Sequence, residues 1–329
     1  TFFDRRVRKS EEIFAQLREL GVFSRPVHEI ENLDLFKLSP FKVLNPDQEQ
    51  TVQSFIGDLL TNLGNGETSQ SVIQGGPGTG KTVVGVYLMK LLRDLGSDIS
   101  AEDTESDSFI TDPFIEKHRD LLRGFRIGLV VPQQALRESV KQVFAKTPGL
   151  EKAMVLTPFD VGKADDPYDL LIVDESHRLD RRSPQSSAQN NLDFAKITTK
   201  LFGSDDFSIT QLDWIVKQSS HQVFLLDAAQ SVRPTDLPQE VLETLVETAE
   251  SSKRFYPLES QMRVKGGADY IEYVKAILSE VPPTPQDFLG YDLRWFENLG
   301  AMERALDEKE AHGGLARMVA GYAWKWVSK

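Results

Sequence analysis

The chain has 329 residues, no cysteine, and 38 Lys+Arg against 50 Asp+Glu, a net charge of −12. That length buries a sizeable core in two or three domains, and the lack of cysteine excludes disulfides, thiolate catalysis and cysteine-bound zinc. So negative a balance argues against coating nucleic acid by bulk electrostatics while leaving room for a local basic groove. No apolar run is long enough to cross a bilayer, no secretory h-region opens the chain, and the five scattered His offer no metal-ligand spacing; the expectation is a cytoplasmic protein without membrane contact. The first residue is Thr1 in place of Met, which reads as a fragment of a longer chain.

Residues 1–40 read as an N-terminal helical accessory segment. Ser10 stands ahead of Glu11 and Glu12, then Ile13, Phe14, Leu17 and Leu20 lead to Gly21, the pattern of a capped amphipathic helix. Beyond it strand and helix signals alternate, which predicts an α/β fold with a largely parallel sheet and helices on both faces. Strands are expected at Val72-Ile73, over 127–131, at Met154-Val155-Leu156, over 170–173 and over 223–226; helices are expected over 81–95 and around Leu136, Val140, Val143 and Phe144, which share one face. Residues 97–112 are acidic and serine-rich and read as a surface insertion, and residues 183–191 read as a polar loop. The chain thus divides into a lobe over 41–254 and a second unit over 255–329. That second unit holds Leu258, a helix over 268–278, the cluster Pro282-Pro283-Thr284-Pro285, and a strand at Leu293-Arg294-Trp295-Phe296.

The strongest chemical signal is Gly75-Gly76-Pro77-Gly78-Thr79-Gly80-Lys81-Thr82, a full GxxxxGK[ST] match between a strand and a helix. Glycines let successive backbone N–H groups turn inward around an anion, and the helix N-terminus adds partial positive charge. Gly76, Pro77, Gly78, Thr79 and Gly80 would therefore cradle phosphates, Lys81 would reach the β- and γ-phosphates, and Thr82 would ligate Mg²⁺. The GxGxxG spacing of a dinucleotide fold is missing. Leu170-Leu171-Ile172-Val173-Asp174-Glu175 is an apolar strand ending in two carboxylates; Asp174 is placed to hold Mg²⁺ and Glu175 to polarise the water that attacks the γ-phosphate. An adjacent Glu points to ATP hydrolysis and away from phosphoryl transfer to a second substrate. After the strand Phe224-Leu225-Leu226, the functional reading of Gln230 is a γ-phosphate sensor; a plain polar strand end is the other reading.

Taken in order, these segments resemble superfamily-one helicases. Leu44-Asn45-Pro46-Asp47-Gln48 is similar to the Q motif, which implies that Gln48 reads the adenine edge; Asn45-Pro46-Asp47 is equally a helix cap. Val131-Pro132-Gln133 falls where motif Ia contacts single-stranded nucleic acid, Asp174-Glu175-Ser176-His177 resembles motif II, and Asp227 to Gln230 resembles motif III with Leu226 in place of its glycine. Leu258-Glu259-Ser260-Gln261-Met262-Arg263 resembles motif IV, which implies that Arg263 is an arginine finger. His177 reads either as a link between ATP state and the other motifs or as a polar helix start. Arg178, Arg181 and Arg182 form a basic cluster that reads either as a phosphate contact or as a solvated loop. A closer resemblance is to the bacterial family of Schlafen-like helicase domains, carried by residues 168–179, 225–234, 261–270 and 314–324. It implies a P-loop NTPase with one RecA-like lobe and part of a second, ATP and Mg²⁺ as cofactors, single-stranded DNA or RNA as partner, and helicase or translocase activity. Motifs V and VI are not visible, so the chain is expected to stop short of them. The other class of reading is an NTP-dependent switch or scaffold that unwinds nothing, in defence against foreign nucleic acid.

Overall fold

In the computed structural model the described residues are 33–97, 117–182, 188–227, 230, 235–260, 267–277, 279, 281, 283–288, 292–312 and 316–319. The helix expected over residues 10–20 and most of the acidic insertion lie outside them. Contacts divide the chain into two units, Thr1–Arg263 and Val264–Lys329.

The described part of the first unit opens with a short helix α1 (Asp34–Lys37) and a long helix α2 (Pro46–Asn65). Asn45 caps α2 by accepting from Gln48 N while the Gln48 side chain accepts from Asn45 N; Pro46 fixes the first turn, and Gly66 closes the helix in the left-handed region. Strand β1 (Ser69–Gly75) leads through the glycine-rich loop into α3 (Lys81–Leu95), whose bounds are those the sequence predicts. Strand β2 (Ile127–Val130), helix α4 (Gln134–Phe144), the short β3 (Val155–Leu156), helix α5 (Pro158–Lys163) and β4 (Tyr168–Val173) follow. Then come α6 (Ala188–Phe202), α7 (Gln211–Lys217), β5 (Ser219–Leu226), α8 (Gln239–Ser251) and β6 (Phe255–Leu258).

Six strands form one sheet in the order β3-β2-β4-β5-β1-β6, every pair parallel. The strands alternate between two cores, as the two-residue period of a sheet buried on both faces requires. Ile73, Leu170, Ile172, Val223 and Leu225 face one core, which α2, α3 and α4 complete with Phe55, Leu88 and Phe144. Val72, Leu171, Val173, Phe224 and Leu226 face the other, shared with Ile215 of α7 and Leu242 and Leu245 of α8. A third cluster, Phe194, Ile197 and Trp214, fastens α6 to α7. Among the described residues no helix is long and apolar enough to cross a membrane.

Three expectations are corrected. The segment around Leu258, assigned by sequence to the second unit, pairs in parallel with β1 through Val72↔Phe255 to Gly75↔Leu258 and belongs to the first sheet. Strand membership depends on which edge a segment meets, which a local pattern does not encode. Residues 188–191 begin helix α6 and are not loop. In the second unit Leu293-Arg294-Trp295-Phe296 forms no strand, and Trp295 is 66% exposed. The helix expected over 268–278 is present as α9 (Gly267–Ile277), with α10 (Leu299–Ala311) after it.

Candidate functional site

The ends of β1, β4 and β5 converge at the C-terminal edge of the sheet, where ligands collect in open α/β folds. The loop after β1 turns through Gly78 at φ +86° and Gly80 at φ +87°, a region L side chains rarely adopt. A side chain at Gly80 would also collide with the Gln48 amide. Lys81, the first residue of α3, is buried and donates to Gly75 O at 2.7 Å and Gly76 O at 3.1 Å. Its ammonium is 4.0 Å from the carboxylate of Asp227, just past β5.

The next residue carries the central contact. Thr82 Oγ1 donates to Asp174 Oδ2 at 2.8 Å, joining two side chains 92 positions apart. Asp174 follows β4, is fully buried, and its other oxygen accepts from Glu175 N at 3.0 Å. Burial pushes its carboxyl up to about 6, against the Thr82 hydrogen bond and the nearby Lys81 charge, which favour ionisation. A buried, half-satisfied carboxylate beside a threonine hydroxyl is a donor set that suits a hard divalent cation such as Mg²⁺, which keeps most of its shell in water and phosphate oxygens. Among the described residues no cluster of three or more His, Asp or Glu forms a metal cage.

Glu175 stands in the left-handed region at φ 49°, a position that costs a side-chain-bearing residue about 1 kcal/mol and persists only where its surroundings hold it. Ser176 supplies part of that hold, its hydroxyl donating to Val173 O at 2.9 Å and lying 3.1 Å from Leu225 O. His177 is completely buried, with Nε2 3.1 Å from Glu175 Oε2 and neither ring nitrogen in a well-aligned hydrogen bond. That contact, followed by nearby positive charge, holds the Glu175 carboxyl below its ordinary range although burial opposes it.

Gln48 is buried against the loop, its amide donating to Thr79 O at 2.9 Å while its oxygen accepts from Asn45 N at 3.2 Å. Of the two readings of this residue, the helix cap is the one the contacts display, and the same side chain also touches the glycine-rich loop. Asp47 accepts from Glu259 N at 2.8 Å and Ser260 N at 3.0 Å, tying the start of α2 to the end of β6. Gln230 lies past β5, its N–H donating to Asp227 O at 3.1 Å. Lys81, Thr82, Asp174, Glu175 and Gln48 are thus gathered around the loop, whereas Arg263 lies outside the described residues. Sequence reasoning missed Asp227 as a partner of Lys81, Ser176 as the lock on the β4 turn, and Asp47 as the tie to β6. The apolar-then-Asp pattern at the end of β5, matching that of β4, was a signal for the first; the other two carry none.

Beside this site a groove of about 840 Å³ opens at the ends of β2, β3 and β4. Gln133, Arg137, Thr157, Phe159, Arg178 and Gln211 help line it, so Gln133 of the expected strand-contacting segment is on its wall. Arg137 is spent inward, donating to Val131 O at 2.9 Å and Pro132 O at 3.1 Å.

The family model described as "Schlafen group 3, DNA/RNA helicase domain" matches residues 69–329. Comparison with curated proteins returns no match. Among solved structures the chain is similar to one described as "Structural Basis for DNA Unwinding at Forked dsDNA by two coordinating Pif1 helicases", at 14% identity over 72% of this chain and 48% of that one, TM-score 0.31. It is also similar to Pif1 helicase from Candida albicans, at 12% identity over 74% of this chain and 46% of that one, TM-score 0.32. The matched part of those two structures is about half of their length.

Proposed function

The chain belongs to the Schlafen group 3 DNA/RNA helicase domain family, and on that premise we propose that it is the ATP-hydrolysing motor core of a helicase or translocase acting on single-stranded DNA or RNA. The observation that carries the reading is the Thr82–Asp174 hydrogen bond with Glu175 next in the chain: a hydroxyl and a buried carboxylate side by side at a helix N-terminus, with a second carboxylate in reach. Bound Mg²⁺ would be held by Thr82 and Asp174 and would neutralise charge on the phosphates. Lys81 would leave its loop carbonyls for the stronger acceptor that a phosphate oxygen offers. Gly76, Pro77, Gly78, Thr79 and Gly80 would supply the anion nest, and Gln48 would meet the adenine from the foot of the loop. Glu175 takes a proton from water as the water oxygen bonds to the γ-phosphorus; the bond from that phosphorus to the bridging oxygen breaks, and ADP and phosphate leave. Gln230 reads whether the γ-phosphate is present, and Arg263 adds positive charge to it. Residues 264–329 we read as part of a second lobe, and the groove beside Gln133 as the track of the strand.

The test is Mg²⁺-dependent ATP turnover with and without single-stranded DNA and RNA. Glu175→Gln is expected to lower turnover by about 10²- to 10³-fold while nucleotide affinity is kept. Turnover that survives this substitution sinks the assignment of the base. Turnover indifferent to both polymers would favour a nucleotide-gated switch over a translocase.

A further inference from the structure

One side chain belongs both to the groove and to the surroundings of Glu175. Arg178 lines the groove, its side chain is only 16% exposed, and its Nε is buried without a hydrogen-bond partner 3.9 Å from Glu175 Oε2. The same carboxylate oxygen meets His177 at 3.1 Å. Glu175 is therefore held by two neighbouring side chains, His177 and Arg178, in a left-handed backbone conformation that persists only where its surroundings fix it. The Arg178 hold is an ion pair without a hydrogen bond, so it yields to any partner that offers the guanidinium two well-aligned acceptors. A phosphodiester is such a partner. Two of the acids in the groove are already engaged: Asp160 accepts from Thr157 N at 2.8 Å, and Asp193 pairs with Lys163 at 2.6 Å.

We propose that Arg178 is a positioning residue that latches Glu175, and that a phosphate of a single-stranded polynucleotide entering the groove draws its guanidinium away and frees the carboxylate for hydrolysis. This rests on Glu175 being the base. It gives the polymer a physical route to the γ-phosphate chemistry that passes through a single side chain, and it makes the exchange reciprocal: whatever loosens Glu175 from Arg178 must tighten strand binding, because linkage is symmetric.

That reciprocity supplies a test independent of turnover. Binding of fluorescently labelled oligo-dT and oligo-U to the nucleotide-free protein is measured by anisotropy for wild type, Glu175→Gln, Arg178→Ala and the double variant. Glu175→Gln is expected to tighten binding about fivefold in the wild-type background and to change nothing once Arg178 is alanine. An equal gain in both backgrounds, or no binding of either oligomer by any variant, overturns the proposal. In turnover, Arg178→Ala is expected to raise the unstimulated rate and bring the ratio of stimulated to unstimulated rates to about one. Arg178→Lys, which keeps the charge but not the planar fork, falls between and guards against a folding artefact. Stimulation that survives Arg178→Ala unchanged refutes the latch while leaving Glu175 as base. Wild-type protein that turns over no ATP under any condition refutes the base, and the binding cycle still decides whether Arg178 and Glu175 are linked.

Discussion

Asp174→Asn should make the protein more stable while removing the carboxylate proposed to hold Mg²⁺, and the gain should grow with pH. The carboxyl of Asp174 is pushed up to about 6 in the folded protein, against about 3.9 in an unfolded chain. The folded state therefore holds its proton more tightly than the unfolded state, and stability falls as pH rises from about 4 to about 6. Two units at 1.4 kcal/mol each leave a cost of about 3 kcal/mol for the ionised form above pH 6. At about pH 5 the same arithmetic gives half that, and below about pH 4 nothing. Asparagine keeps the shape: its oxygen accepts from Glu175 N, and the Thr82 hydroxyl rotates to accept from the amide. Urea denaturation of both proteins at about pH 5 and about pH 8, without nucleotide, should show a gain about twice as large at the higher pH, where about 3 kcal/mol corresponds to a rise in melting temperature of about 6–12 °C. Adding Mg²⁺ and ATP at a hundred times the wild-type dissociation constant should stabilise wild type by about 2.7 kcal/mol and the variant far less. A variant that is less stable at both pH values, or a gain that does not change with pH, would refute the idea that burial outweighs the hydrogen bonds and the Lys81 charge at this carboxylate.

Two further substitutions probe the loop and its support. Gly80→Ala forces a Cβ into a left-handed residue and against the Gln48 amide; a loss of about 1–2 kcal/mol in urea denaturation is expected, together with weakened binding of a fluorescent ATP analogue. Gln48→Ala strands Thr79 O and Asn45 N at once and should cost about 1–3 kcal/mol; unchanged stability would mean that solvent replaces both partners.

The parts legible in the sequence are those whose cause is local. Helix 81–95 declares itself directly after the glycine-rich loop, and the eight residues from Gly75 to Thr82 sit together because an anion nest is built from consecutive amides. Asp174 and Glu175 are readable because four apolar residues must precede a carboxylate delivered at the edge of a buried sheet. What stayed hidden depends on partners far along the chain. Asp47 meets Glu259 and Ser260 across 212 positions or more, and nothing near Asp47 marks it as more than a residue in the first turn of a helix. Leu258 reads as the start of a new unit because prolines, glycines and a fresh helix follow it, yet β1 has an open edge that only this segment fills. Ser176 reads as a motif filler until β5 brings Leu225 O within reach.

The strand order also fixes when the fold can be completed. β1, which launches the glycine-rich loop, pairs only with β5 and β6, whose residues lie some 150 to 180 positions later. On the ribosome, β1 is synthesised before both of its partners and stays without a hydrogen-bonded neighbour until residues 219–226 emerge. Long-range parallel pairing of this kind is slow and leaves strand edges open meanwhile. The glycine-rich loop cannot take its final shape until residues 219–226 and 255–258 exist. A nascent chain stalled before β5 would carry the whole glycine-rich motif without the sheet neighbour that sets β1 beneath it, so the shape of that loop waits on residues made long after it.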